Sequence, residues 1–138
     1  MSFLVDTNVI SETRKGTRCD PHVAAWAAGV DPNKLFISVL VLGEMRRGAE
    51  LLRRKHDIAQ AASLDAWIAV TARDFGDRVL VVDDKIADAW GVFMARRPLP
   101  IVDGLLAATA IVHDLTLVTR NIKDVHGTGV RTLNPFSR

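Results

Sequence analysis

The chain has 138 residues, 49% hydrophobic and 25% charged, with a formal net charge of +2 and an isoelectric point near 9.0. These values exclude a disordered chain and suit one domain, residues 1–138, able to bury a core without disulfide or metal staples. So small a charge excess singles out no partner by itself, and no apolar run approaches the roughly 20 residues a membrane helix needs.

Phe3-Leu4-Val5 is apolar at consecutive positions, as a strand covered on both faces is, and it ends in Asp6-Thr7-Asn8. That early acid also argues against a signal peptide. Thr7 or Asn8 is placed to cap a short helix over residues 9–12. Cys19, the lone cysteine, lies in the polar stretch Thr17-Arg18-Cys19-Asp20 and carries no mark of a nucleophile. With no intrachain disulfide possible, a reducing cytoplasm is the expected setting. Pro21 suits the first turn of a helix over 21–28 that stops at Gly29.

Leu35-Phe36-Ile37-Ser38-Val39 predicts a second strand, followed by a helix over 41–55 with Leu42, Met45, Ala49 and Leu52 on one stripe. A longer helix over 57–75 carries Ile58, Ala61, Leu64, Ile68 and Phe75 at helical spacing and ends at Gly76. The β-branched run Val79-Leu80-Val81-Val82 predicts a third strand closed by Asp83-Asp84, and a helix over 86–97 is stopped by Pro98 and Pro100. The helix over 103–113 is apolar on almost every face, which places it deep in the fold. Leu115-Thr116-Leu117-Val118-Thr119 and Val130-Arg131-Thr132-Leu133 are the fourth and fifth strands, and Asn134-Pro135 closes the chain.

Strands alternating with helices predict an α/β fold with a mostly parallel sheet, in which ligands bind beyond the carboxyl ends of the strands. Acids cluster at those ends. Asp6 follows the first strand, Glu44 lies in the helix after the second, and Asp103 opens the apolar helix. Asn121 and Asp124 follow the fourth strand. Asp6 as a helix cap and Asp103 as a helix-dipole partner have plain structural explanations. Glu44 lies in the apolar run Val39-Leu40-Val41-Leu42-Gly43-Glu44-Met45, where a buried charge is costly unless paired or liganded.

Converging carboxylates repel unless a cation sits among them. An all-oxygen set favours magnesium, or manganese, over zinc, and His22, His56, His113 and His126 form no close ligand pair. The chemistry at home in such a site is phosphodiester hydrolysis by in-line attack of metal-activated water, with one ion or two. Basic groups at Arg14-Lys15-Arg18, Arg46-Arg47, Arg53-Arg54-Lys55, Arg96-Arg97 and Arg120-Lys123 are either solvated helix faces or nucleic-acid contacts.

Four segments carry a family resemblance. Leu4-Val5-Asp6-Thr7-Asn8-Val9-Ile10-Ser11-Glu12 is similar to the opening of the PIN-domain toxin ribonucleases, the VapC group and its FitB-like branch especially. Ser38-Val39-Leu40-Val41-Leu42-Gly43-Glu44-Met45-Arg46-Arg47-Gly48, Val102-Asp103-Gly104-Leu105-Leu106-Ala107-Ala108-Thr109-Ala110 and Leu117-Val118-Thr119-Arg120-Asn121-Ile122-Lys123-Asp124 keep the family's order, and Leu133-Asn134-Pro135-Phe136 resembles its usual ending. The resemblance implies a three-layer α/β/α sandwich and a magnesium-dependent endoribonuclease. It puts Asp6, Glu44 and Asp103 on the metal and makes Thr7, Asn8 and Thr119 their supports. Where the family often has a fourth acid this chain has Asn121, with Asp124 the natural substitute. The resemblance further implies a homodimeric toxin of a type II toxin–antitoxin pair, held by a small antitoxin that alone reads operator DNA. Arg46, Arg47 and Arg120 would then meet the RNA backbone.

Two other readings compete. A haloacid-dehalogenase-type phosphatase wants a second acid two residues after the first, and Asn8 stands there. A catalytically silent module that only binds RNA or a partner would be marked by loss of Asp6 or Asp103, and both are present.

Overall fold

A computed structural model describes residues 1–136; residues 137 and 138, the last of the expected domain range, lie outside the described residues. Five strands, β1 (Phe3–Val5), β2 (Leu35–Ser38), β3 (Val79–Leu80), β4 (Thr116–Val118) and β5 (Thr132–Leu133), pair in the order β3-β2-β1-β4-β5. Every pairing is parallel, with Leu4 opposite both Phe36 and Leu117. The helices are α1 (Thr7–Thr13), α2 (Pro21–Gly29), α3 (Val39–Arg54), α4 (Ile58–Phe75), α5 (Asp84–Arg96) and α6 (Ile101–Val112).

Strand alternation divides the core into two layers. Leu4 and Leu117 face a cluster with Ile86, Phe93, Leu106 and Ala110, so α5 and α6 cover that side. Val5 and Val118 face Val9, Val23, Val41 and Met45, so α1 to α4 cover the other. The expected α/β/α sandwich is the fold. Its chain runs outward from β1 to β3 and then crosses to β4, so the strand order reverses between β1 and β4. The carboxyl ends of those two strands deliver Asp6 and Thr119 to one crevice, the position at which parallel sheets of this kind bind ligands.

Element ends depart from expectation where a polar side chain takes over. α1 begins at Thr7 because Asp6, not Thr7 or Asn8, is its cap, accepting the Thr7 amide at 2.6 Å. Val39 starts α3 instead of ending β2, since Ser38 Oγ accepts the Leu40 amide at 3.1 Å. Asp57 likewise caps α4. β3 stops after Leu80, leaving Val81 63% exposed, and Asp83 opens α5 ahead of residue 86. β4 and β5 are shorter than their apolar runs, and α6 starts at Ile101, so Asp103 lies in its first turn. The core of α6 from Leu106 to Ala110 is buried as expected, whereas Ile101 and Ile111 are exposed. Among the described residues no helix is long and apolar enough to cross a membrane.

Candidate active site

Asp6 is the most constrained acid. Only 5% exposed, it accepts Thr119 Oγ1 on Oδ2 at 2.7 Å and the Thr7 amide on Oδ1 at 2.6 Å. Asn8 Nδ2 approaches Oδ2 at 3.3 Å, while Asn8 Oδ1 accepts the Arg120 amide at 3.3 Å. Thr119 Oγ1 also accepts the Asn121 amide at 3.0 Å, which locks the loop after β4 to the start of α1. Burial pushes the Asp6 carboxyl up, and the Thr119 and Thr7 hydrogen bonds work against that shift. The family resemblance made Thr7, Asn8 and Thr119 supports of the acids, and all three touch Asp6.

Asp103 faces Asp6 from the first turn of α6. It is half-buried, and its carboxyl is pushed up to about 6. Burial is the largest cause; the charges of Asp6, Asp124 and Glu44 follow, with a hydrogen bond to Asp124. Three acids drawn from three other parts of the chain therefore act on one carboxyl. Among the described residues no three His, Cys, Asp or Glu side chains are drawn in tightly enough to form a ready-made cation site.

Glu44 corrects one expectation. It is exposed, not buried among its apolar neighbours, because α3 turns Val41, Met45 and Ala49 inward and leaves residue 44 on the outer face. No burial cost arises. Glu44 still joins the site, because Thr7 Oγ1 donates to its Oε1 at 2.5 Å. Asp124 lies in the 3-10 turn Ile122–Val125 and reaches Asp103, whereas Asn121, which opens that turn, is exposed and caps it without a side-chain bond.

The arginines divide. Arg46 is bound within the fold by Asp65, with Glu50 at 3.6 Å, and Arg53 pairs with the same two acids. Arg47 and Arg120 are exposed. Two residues had no assigned part in the sequence. Glu12 is buried and ties α1 to the head of α2, accepting Lys15 Nζ at 2.9 Å and the Asp20 amide at 2.8 Å. Phe136 lies beneath Arg120. Nothing local flags either one; Glu12 and Phe136 entered only as members of the opening and closing segments that carry the resemblance. Cys19 is half-buried and its thiol is pushed up by desolvation and by Glu12 and Asp20, which disfavours the thiolate.

The profile of the PIN domain matches residues 3–123 of the chain. The chain belongs to the PIN-domain family. Among relatives of this PIN domain, Toxin FitB of Neisseria gonorrhoeae is 26% identical over 141 residues, covering 97% of this chain and 98% of that protein. Ribonuclease VapC4 of Mycobacterium tuberculosis is 31% identical over 124 residues, covering 86% of this chain and 85% of its own length. The crystal structure of FitAcB from Neisseria gonorrhoeae aligns with a TM-score of 0.78 at 28% identity, over 96% of this chain and 97% of that one. FitAB bound to a DNA fragment aligns with a TM-score of 0.79 at 26% identity, over 99% and 96%. The PIN-domain match spans Asp6, Glu44, Asp103 and Asn121 and stops just short of Asp124.

Proposed function

We propose that this PIN domain is a divalent-cation-dependent endoribonuclease, with magnesium its working ion and manganese an effective substitute. The observation that carries the reading is the gathering of acids at one edge of the sheet: Asp6 at the end of β1, tied to Thr119 at the end of β4 at 2.7 Å, with Asp103, Asp124 and Glu44 near enough for their charges to act together. An oxygen-only set of acids gathered at one edge of the sheet suits a hard cation. Asp6, Glu44 and Asp103 would hold it. When bound, such an ion offsets charge on a phosphate oxygen and makes water acidic enough to attack phosphorus.

The rest falls to side chains of the chain itself. Thr119, Asn8 and the Thr7 amide keep Asp6 aimed and favour its charged form. Thr7 Oγ1 donates to one oxygen of Glu44, and the carboxylate so held would be a ligand for the ion. Asp124 serves as the fourth acid beside Asp103, and the Asn121 amide at the exposed mouth orients a water. Arg47 and Arg120 grip the RNA backbone, giving affinity with little sequence choice. Arg46, expected in that role, also pairs through Nη1 with Asp65.

The names of the relatives support a toxin's part for the chain, and the reading extends to a homodimer clasped by a small antitoxin that, rather than the toxin, reads operator DNA. Purified protein incubated with structured RNAs tests the enzyme directly. Cleavage in magnesium or manganese, abolished by chelator and by Asp6→Asn or Asp103→Asn, is the expected result. RNA binding without cleavage under any metal would instead mark a silent scaffold, and phosphate release from small monoesters a phosphatase.

A further inference from the structure

Arg120 and Phe136 form a contact that the acid cluster does not explain. The guanidinium carbon lies 4.6 Å from the centroid of the Phe136 ring. The contact is built by the backbone. β5 pairs Leu133 with Val118, and the Thr119 amide donates to Leu133 O at 3.0 Å, so the tail is laid alongside the end of β4. Pro135 is buried, and Asn134 Oδ1 accepts the Phe136 amide at 3.0 Å, an Asx turn that folds the ring back. At the other end, the Arg120 amide is held by Asn8, whose side chain also touches Asp6. A single side chain thus separates the backbone of Arg120 from the central carboxylate.

The type of partner matters. Arg46 and Arg53 have spent guanidinium donors on Asp65 and Glu50. Arg120 makes no ion pair among the described residues. An aromatic ring attracts the guanidinium through its face and leaves the edge N–H groups unspent. Those edges form the planar fork that meets phosphate oxygens two at a time. A carboxylate partner would take up one or two of those donors and offset the charge; a ring orients the group at no cost in donors.

We propose that Phe136 is a positioning residue that holds Arg120 as a preformed clamp for an RNA phosphate adjacent to the one attacked at the acid cluster. The proposal rests on the nuclease reading above. Its probe is a labelled single-stranded RNA oligonucleotide bound by the full chain in chelator, with anisotropy followed across a salt series. Phe136→Leu should weaken binding about two- to fivefold, the weight of an exposed cation–π pair, and Phe136→Tyr should restore it. Arg120→Gln should lower the steepness of the salt dependence by about 0.7, one phosphate contact on a single strand. Phe136→Leu added to Arg120→Gln should then change nothing further.

In cleavage assays Phe136→Leu should raise KM and spare kcat, because the clamp grips ground and transition states alike. A general disturbance of the acids would lower kcat instead. Phe136→Leu binding like wild type, no restoration by Phe136→Tyr, additive losses in the double variant, or no RNA binding at all would each overturn the clamp. Metal-dependent cleavage lost in Asp6→Asn is judged separately, so an inert Phe136 leaves the nuclease standing. RNA binding without cleavage removes the nuclease while the binding arm still decides the clamp.

Discussion

Thr119 Oγ1 donates to Asp6 Oδ2 across 113 residues of sequence and 2.7 Å of space. The bond joins the ends of β4 and β1 at the point where the strand order reverses. It gives a buried carboxylate a donor it needs in order to ionise. Thr119→Val should leave Asp6 less acidic and weaken divalent-ion affinity about 10- to 100-fold, the usual weight of such a support. Thr119→Ser, which keeps the hydroxyl, should retain most of it. Titration calorimetry with manganese on both variants measures the difference.

Asp103 sets a pH dependence. Its folded-state carboxyl stands at about 6 against 3.8 for the free side chain. Between those values the folded protein holds a proton that the unfolded chain has released, so stability from this group falls as pH rises through the window. The penalty is complete above pH 6 and absent below 3.8. Asp103→Asn in chelator should therefore melt higher than wild type at pH 7, and the gap should close toward pH 4. Magnesium at pH 7 should raise the melting point of wild type and leave Asp103→Asn nearly unchanged. Thermal melts over that pH range, with and without the ion, are the check.

Glu44 separates function from stability. Its exposure means that Glu44→Gln should change folding stability by no more than about 0.5 kcal/mol. Its place beside Thr7 means that RNA cleavage should fall by an order of magnitude or more. Urea unfolding paired with a cleavage assay reads both quantities from one preparation.

Gly104, next to Asp103, is set by packing. A Cβ built there would lie 3.1 Å from Trp90 Cδ1 and 3.2 Å from its Nε1, within a half-buried ring packed against the core. Gly104→Val should cost roughly 1–3 kcal/mol by overpacking and tilt the first turn of α6. The expected signature in urea unfolding is a lower midpoint, with cleavage reduced beyond what the lost stability explains.

The sequence revealed all the strands and helices because apolar runs bounded by acids, glycines and prolines mark both period and end. It misplaced boundaries where the apolar run outlasts the element: Val39 belongs to α3, and Val81 leaves the sheet after two paired residues of β3. Glu44 misled because apolar neighbours along the chain are not neighbours across a helix. Asp6 and Asp103 stood out as candidates, since one follows a strand and the other lies at the start of a helix on the same edge. The Arg46–Asp65 pair and the Arg120–Phe136 stack did not, because they depend on how α4 and the tail return in space.

Anomalous scattering from manganese in crystals of the wild-type chain tests the central claim most directly. A single strong peak bounded by carboxylate oxygens of Asp6, Glu44 and Asp103, and missing from Asp103→Asn crystals, is the predicted outcome. A peak elsewhere, or one that persists in that variant with Asp6 alone, would contradict the assignment of these acids to a shared cation.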